Sequence, residues 1–138
     1  MKRAALTLSM TLALGIALGV MGSQLLNAQQ APVKVTELFK TDLTEGGGKE
    51  GRTILVEIAP GAAVGRHYHP GDAFAYILEG SMILEVDGKP PVTMMPGETG
   101  YVPPRQVHND KNASQTAPVR FLVFFVAEKG QPFAVMVQ

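Results

Sequence analysis

The stretch that decides the fold is GRHYHPGDAFAYILEG, which runs from Gly65 to Gly80. His67 and His69 lie two residues apart, so both side chains would project from the same face of a β-strand. Two imidazoles on one face can chelate a divalent ion, whereas two buried histidines without an ion would each need a separate polar partner. A lone histidine is more often structural than metal-binding, but this pair favours a metal site.

Short apolar segments separated by turns make up the chain on both sides of this stretch. RTILVEIAP (52–60), SMILEVDG (81–88) and VRFLVFFVAE (119–128) are rich in the β-branched and aromatic residues that favour strands. Asp87-Gly88 predicts a tight hairpin turn in which both central residues have positive φ. We therefore predict an all-β domain, either a small antiparallel barrel or a double sheet, in which residues of one parity point inward.

The first 28 residues have a different composition. MKR is followed by an uncharged apolar run from Ala4 to Met21 and then by small and polar residues, which is the layout of a secretory signal peptide. Cleavage after Ala28 or after Gly22 is compatible with this pattern. The run also approaches the length of a membrane-spanning helix, so an uncleaved N-terminal anchor is the competing interpretation. The sequence thus predicts a hydrophobic signal helix over 1–28 and a periplasmic or secreted domain over 29–138, attached to the membrane only if the leader stays uncleaved.

Composition excludes several classes of function. The 12 acidic and 12 basic residues balance, and no basic run is present, so we expect no nucleic-acid partner. The chain has no cysteine, which removes disulfides, thiolate catalysis and cysteine-ligated zinc.

The spacing of the residues around the histidine pair resembles the first motif of the cupins, G-x5-H-x-H-x3,4-E-x6-G. Gly61, His67, His69 and Gly80 fall in register with that motif, and Ala73 occupies the glutamate position. The resemblance implies a jelly-roll β-barrel in a small single-domain bacterial cupin. It also implies that the two histidines are ligands of one divalent metal ion, and the sequence does not distinguish among iron, manganese, nickel and zinc.

The second cupin motif, G-x5-P-x-G-x2-H-x3-N, is matched by Gly97, Pro103, His108 and Asn112, with Arg105 in place of the second glycine. The resemblance covers roughly residues 54–126. It implies that His108 joins the first two histidines inside the barrel, which spacing alone does not show. If the backbone at Arg105 requires positive φ, the arginine carries some strain.

Alanine cannot ligate a metal, so position 73 raises the question of a substitute acid. Asp72 is adjacent, and its turn could allow it to serve as an accessory ligand, although a shift of one residue in a regular strand reverses the side chain. The alternative is a site of three neutral imidazoles with open positions, as in some zinc enzymes.

Four further residues are candidates for the lining of the barrel cavity: Phe74, Tyr76, Tyr101 and Arg105. For the tyrosines, ordinary packing with the hydroxyl at the rim is the more common outcome, and for Arg105 a solvated surface position. FLVFFVA (121–127) is apolar on both faces, which predicts either a strand that crosses the core or a homodimer interface.

Three functions remain open at this point. The first is a small-molecule enzyme with a three-histidine metal centre, such as a dioxygenase or an isomerase. The second is a non-catalytic periplasmic module that binds a metal or a small ligand. The third is a degenerate cupin whose histidines hold no metal. Fold alone does not choose among these functions.

Overall fold

Antiparallel strands form nearly all of the regular structure in the computed structural model, which describes residues 31–138. The predicted signal helix over 1–28 lies outside the described residues. Ten strands occur in the described part: β1 (Val33–Asp42), β2 (Lys49–Ile58), β3 (His67–Tyr68), β4 (Asp72–Glu79), β5 (Met82–Val86), β6 (Val92–Met94), β7 (Thr99–Val102), β8 (His108–Asn112), β9 (Val119–Glu128) and β10 (Val135–Met136).

The strands form two five-stranded sheets. Their orders are β1-β2-β9-β4-β7 and β10-β3-β8-β5-β6, and the paired neighbours run antiparallel. Two facing antiparallel sheets with long-range connections are the jelly-roll arrangement, so the predicted all-β fold is confirmed. The second sheet carries two of the three histidines on its strands, and the first sheet carries most of the apolar wall that faces them.

Strand β9 explains the segment that is apolar on both faces. It lies between β2 and β4 in the first sheet, and its side chains alternate between buried and more exposed positions from Val119 to Glu128. Phe121 and Phe125 point into the core, with exposed fractions of 1% and 0%. Phe124 points outward and is 44% exposed. Because β9 is a central strand, one set of its apolar residues, such as Phe121 and Phe125, packs in the core. The other set, such as Phe124, lies on the outer face of the sheet.

The hairpin between β5 and β6 is confirmed by the pairing of Met82 with Met94 and of Leu84 with Val92. Its turn differs from the prediction. Of the residues with positive φ, Gly88 is in this loop, at 79°, and Asp87 is not among them. The loop spans residues 87–91, so it is long enough to reverse the chain without the two-residue turn that requires two positive φ angles.

Within residues 31–138, no helix is long and apolar enough to cross a membrane.

Candidate metal centre

Three buried histidines meet between the two sheets. His67 and His108 are directly paired across β3 and β8, and His69 follows β3 by one residue. The ring centroids of His67 and His108 are 4.2 Å apart, and His69 is 5.0 Å from each of them. One ring nitrogen from each residue lies within 4.8 Å of the others. The predicted convergence of these three histidines is confirmed.

Each of the three imidazoles is held by a backbone carbonyl on the same ring atom. Nδ1 of His67 donates to the carbonyl of Gly65 at 2.8 Å, and Nδ1 of His108 donates to that of Gln106 at 3.0 Å. Nδ1 of His69 donates to a carbonyl from the far end of the chain, that of Phe133, at 2.7 Å. A carbonyl oxygen can only accept, so each Nδ1 carries the proton and each Nε2 keeps its lone pair. Three fixed lone pairs in one place form a nitrogen donor set for a metal ion.

Burial keeps these rings neutral. Desolvation is the largest influence on all three histidines, and it lowers the pKa of His69 to about 4. The pKa values of His67 and His108 are lowered by the same cause. Metal ligation requires neutral imidazole, so the rings are in the binding form at neutral pH without any loss of a proton.

Two backbone contacts fix the loops that carry the histidines. The N–H of Arg105 donates to the carbonyl of His69 at 2.8 Å, which ties the bend before β8 to the end of β3. The N–H of Gly65 donates to Oδ1 of Asn109 at 2.9 Å, so β8 also holds the residue whose carbonyl orients His67. Such outer contacts set the direction of metal ligands and thereby the affinity of the site.

Asp110 is a site residue that the sequence analysis missed. It lies two residues after His108 on β8, and it is 8% exposed. Its Oδ2 is 3.8 Å from Nε2 of His67 and 3.8 Å from Nε2 of His108. Desolvation raises the pKa of this carboxyl to about 6, and the nearby His67 opposes the shift. The signal was present in the sequence, because the i, i+2 spacing of His108 and Asp110 is the same as that of His67 and His69.

The glutamate position and its neighbour follow strict strand parity. Ala73 is 4% exposed and belongs to the core, so the register predicted for this position is correct. Asp72 points the other way, and its Oδ1 accepts a hydrogen bond from the hydroxyl of Tyr101 at 2.8 Å. The possibility that Asp72 serves as an accessory ligand is therefore wrong, because the strand begins at Asp72 and the turn before it does not reverse the side chain.

The residues expected to line the barrel cavity lie elsewhere. Phe74, Tyr76 and Tyr101 are on the outer face of the first sheet, where they are 47%, 39% and 51% exposed and border a surface groove with Phe124. Ala73 points inward, so Phe74 and Tyr76, which lie at odd spacing from it on β4, point outward. Tyr101 on β7 is paired with Phe74 and shares its outer face. The side chain of Arg105 is exposed, and its backbone has φ of 64°, as the missing motif glycine predicted.

A cavity of about 160 Å³ adjoins His67, His69 and Asp110. Its remaining walls are apolar and come from both sheets and from the C-terminal segment: Val35, Val56, Phe121, Val123, Phe133 and Met136. The C-terminal segment packs on the site itself, with the rings of Phe133 and His69 4.7 Å apart and β10 paired to β3. The site is thus a small apolar chamber with donor groups at one end.

The donor set fits a divalent transition metal. Nitrogen and carboxylate oxygen ligands bind such ions at about 2.0–2.2 Å, and neutral imidazoles suit zinc, iron and nickel. The rings are buried beside apolar residues, and the free Nε2 on each ring requires no change of tautomer.

The comparisons with known proteins agree with this geometry. The family model described as the cupin domain matches residues 54–125. The chain belongs to the cupin family. The matched residues include all three histidines and Asp110, so the candidate metal centre lies inside the part that defines the family.

Three relatives illustrate the range of this likeness. Tetracenomycin polyketide synthase protein TcmJ of Streptomyces glaucescens is 38% identical over 67 residues, covering 48% of this chain and 44% of TcmJ. The polyketide cyclase RemF of Streptomyces resistomycificus is 25% identical, with a TM-score of 0.60 over 78% of this chain and 72% of RemF. The DMSP lyase DddQ of Ruegeria pomeroyi DSS-3 is 21% identical, with a TM-score of 0.64 over 85% of this chain and 57% of DddQ. This chain spans roughly half the length of TcmJ and DddQ.

Proposed function

We propose that this cupin is an extracytoplasmic protein that binds one divalent metal ion through His67, His69 and His108 and acts on a small molecule beside it. One observation carries the proposal: all three Nδ1 atoms are engaged by backbone carbonyls, so three Nε2 lone pairs are available in one buried place. A structural role would not require the same nitrogen to be left free on each ring. The extracytoplasmic location depends on the leader pattern of residues 1–28 alone.

A bound divalent ion would supply Lewis acidity, which polarises an oxygen donor of a ligand and stabilises negative charge on it. The residues of the chain perform the other tasks. The carbonyls of Gly65, Gln106 and Phe133 hold the ligands in the binding tautomer. Phe133 and Met136 line one side of the chamber.

The size of the cavity limits the ligand. A cavity of about 160 Å³ is below the roughly 300–1,000 Å³ of pockets for drug-sized molecules and is comparable to an engineered protein cavity of about 150 Å³ that holds benzene. We therefore infer a ligand no larger than one aromatic ring or a short aliphatic acid, with an anionic donor at the metal end and an apolar body. The names of RemF and TcmJ suggest polyketides, but a molecule of several fused rings would exceed the volume of this cavity.

The direct test is elemental analysis of the untagged protein together with the variant His67→Ala. We expect close to one equivalent of a transition metal per chain in the native protein and a loss of that metal in the variant. The matched control is His67→Gln, which preserves much of the side-chain volume but removes the imidazole. A native protein that holds no metal after exposure to iron, manganese, nickel and zinc salts would refute the proposal.

Non-catalytic binding is the second candidate, and the cavity lining favours it. The titratable residues that line the cavity are His67, His69 and Asp110, all of which border the metal centre. If these residues engage the metal, the described lining leaves no separate side chain to transfer protons. Turnover assays with small phenols, hydroxy acids and sugar acids distinguish the two functions, because a binding module would retain these compounds unchanged.

We also propose that the protein is a homodimer. Support comes from the outer face of the first sheet, where Phe74, Tyr76, Tyr101 and Phe124 form a contiguous aromatic surface. The rings of Phe74 and Tyr101 are stacked at 4.9 Å, so this surface is already ordered before any partner binds. Large exposed apolar patches of this type mark association sites.

A further inference from the structure

The carboxylate that the first cupin motif lacks has a counterpart on the opposite sheet. Position 73 is an alanine in β4 of the first sheet. Asp110 lies in β8 of the second sheet, on the strand that carries His108. Because His108 and Asp110 differ by two residues, both side chains face the same interior as His67.

The carboxylate lies beside two of the three imidazoles, those of His67 and His108, and is not part of the group of three whose ring nitrogens lie within 4.8 Å of one another. Its Oδ2 is equidistant, at 3.8 Å, from Nε2 of His67 and Nε2 of His108. Two donors that bind one ion at 2.0–2.2 Å are about 3.0–3.5 Å apart at tetrahedral or octahedral angles. The oxygen therefore needs to move by less than about 1 Å to share an ion with both rings, which a small change in side-chain torsion provides.

Charge is the second reason. Asp110 is 8% exposed beside an apolar cavity, and a buried carboxylate without a compensating charge is strongly destabilising. Among residues 31–138, the ion-pair partners found for this carboxylate are His67 and His108. Both rings already donate their single proton to backbone carbonyls, so neither can compensate the charge in its neutral form. A divalent cation at the Nε2 atoms would compensate it.

We propose that Asp110 is the fourth protein ligand of the metal and takes the place of the glutamate that is absent at position 73. The proposal rests on the function proposed above, since it presumes that the histidines bind an ion. It changes the expected chemistry of the site from three neutral donors to three neutral donors and one anion. Such a set holds a divalent ion more tightly and lowers the net charge of the complex by one unit.

Cobalt(II) titration of the full-length protein tests this assignment, because the visible d–d absorption of the ion reports its ligands. The decisive variants are Asp110→Asn, which is nearly isosteric, and Asp110→Ala, which has no oxygen donor. Asp72→Asn is the matched control, since it makes the same chemical change at an aspartate whose side chain lies on the outer face of β4. We expect the affinity for cobalt to fall about 100-fold or more in both Asp110 variants, because even outer contacts of ligands are worth about 10–100-fold. We expect a change of less than about 2-fold in the control.

Thermal unfolding provides a readout that a purely structural aspartate would not give. Without metal, Asp110→Asn exchanges a buried carboxyl for an amide of nearly the same shape, so its Tm should equal or exceed that of the native protein. With cobalt in excess, the rise in Tm should be smaller in the variant by about 10 °C or more, which corresponds to a 100-fold weaker affinity in a domain of this size.

The outcomes separate the two proposals. If the native protein does not bind cobalt, the metal-binding function itself fails. If the native protein binds cobalt and both Asp110 variants bind it with the native affinity and absorption spectrum, only the assignment of Asp110 fails. An Asp110→Asn protein that is less stable than the native one without metal would also overturn the assignment, because it would show that the carboxylate supports the fold.

Discussion

Asn112 ends the second cupin motif, and its side chain acts on the scaffold. It is 6% exposed. Its amide nitrogen donates to the carbonyls of Ile58, Ala59 and Ala117 at 3.1, 3.1 and 2.8 Å, and its Oδ1 accepts from the N–H of Ser114 at 2.8 Å. One side chain thus ties the end of β2 to the loop that leads into β9.

The substitution Asn112→Ala removes an amide that has two N–H donors and one oxygen acceptor. Each hydrogen bond contributes about 1 kcal/mol net, and a buried carbonyl left without a donor costs about 1–3 kcal/mol more. The bond to the carbonyl of Ile58 is lost in a buried place, because Ile58 is 0% exposed. We expect a loss of about 3–5 kcal/mol in the free energy of unfolding. That is a large part of the roughly 5–15 kcal/mol available to a domain.

Asn109, three residues earlier on the same strand, is the matched comparison. Its Oδ1 accepts from the N–H of Gly65 at 2.9 Å, and its Nδ2 donates to Glu85 at 3.2 Å. Because the carbonyl of Gly65 orients His67, Asn109 is a positioning residue for the metal site. It is only half-buried, so Asn109→Ala should cost about 1 kcal/mol of stability, and it should weaken metal binding about 10-fold.

Urea unfolding without metal measures the first quantity, and cobalt titration of the folded proteins measures the second. The two variants should differ in which quantity changes most. Asn112→Ala should lose stability and keep its metal affinity within about 3-fold. Asn109→Ala should lose only about 1 kcal/mol of stability and bind the metal about 10-fold more weakly. The reasoning is refuted if Asn112→Ala loses less than about 1 kcal/mol, or if it weakens metal binding as much as Asn109→Ala does.

Three further outcomes concern the surface of the first sheet and the bend before β8. The double variant Phe74→Glu and Phe124→Glu should sediment as a monomer where the native protein sediments as a dimer; unchanged sedimentation would remove this face as the interface. Hydrogen bonding to Asp72 raises the pKa of Tyr101, so the stability from this contact is present at neutral pH and is lost as the pH rises through the raised pKa. In a spectrophotometric titration, Asp72→Asn should move the midpoint of Tyr101 down towards its ordinary value, and an unmoved midpoint would contradict the contact. Arg105→Gly should stabilise the domain by up to about 1 kcal/mol in urea unfolding, because the φ of 64° suits glycine. Arg105→Ala, which keeps the strain, should give no such gain.

The sequence predicted the strands and the His67–His69 pair because both depend on local periodicity, whereas the place of His108 was predicted only by the resemblance to the cupins. His67 and His69 share a face by spacing alone, and the inward position of Ala73 follows from the motif. The same rule would have placed Phe74 and Tyr76 on the outer face, and the prediction that they line the cavity neglected it. Asp110 was equally accessible to the rule. The sequence analysis considered as a substitute ligand only the acid next to position 73, which is Asp72.

Other parts of the site depend on topology and could not be obtained from spacing. The carbonyl that orients His69 belongs to Phe133, which is 64 residues further along the chain. Nothing in the sequence around Phe133 identifies it as a partner of a histidine. The pairing of β10 with β3 brings it there, and a two-residue strand is too short to be predicted from periodicity.

Different parts of the chain orient the three imidazoles. Gly65 and Gln106 each lie two residues before the histidine that they orient, so those two imidazoles are set by local backbone geometry. Nδ1 of His69 donates to a carbonyl of the C-terminal segment, and the same segment supplies the Phe133 and Met136 walls of the cavity. The orientation of His69 and part of the cavity wall therefore depend on the same stretch of chain.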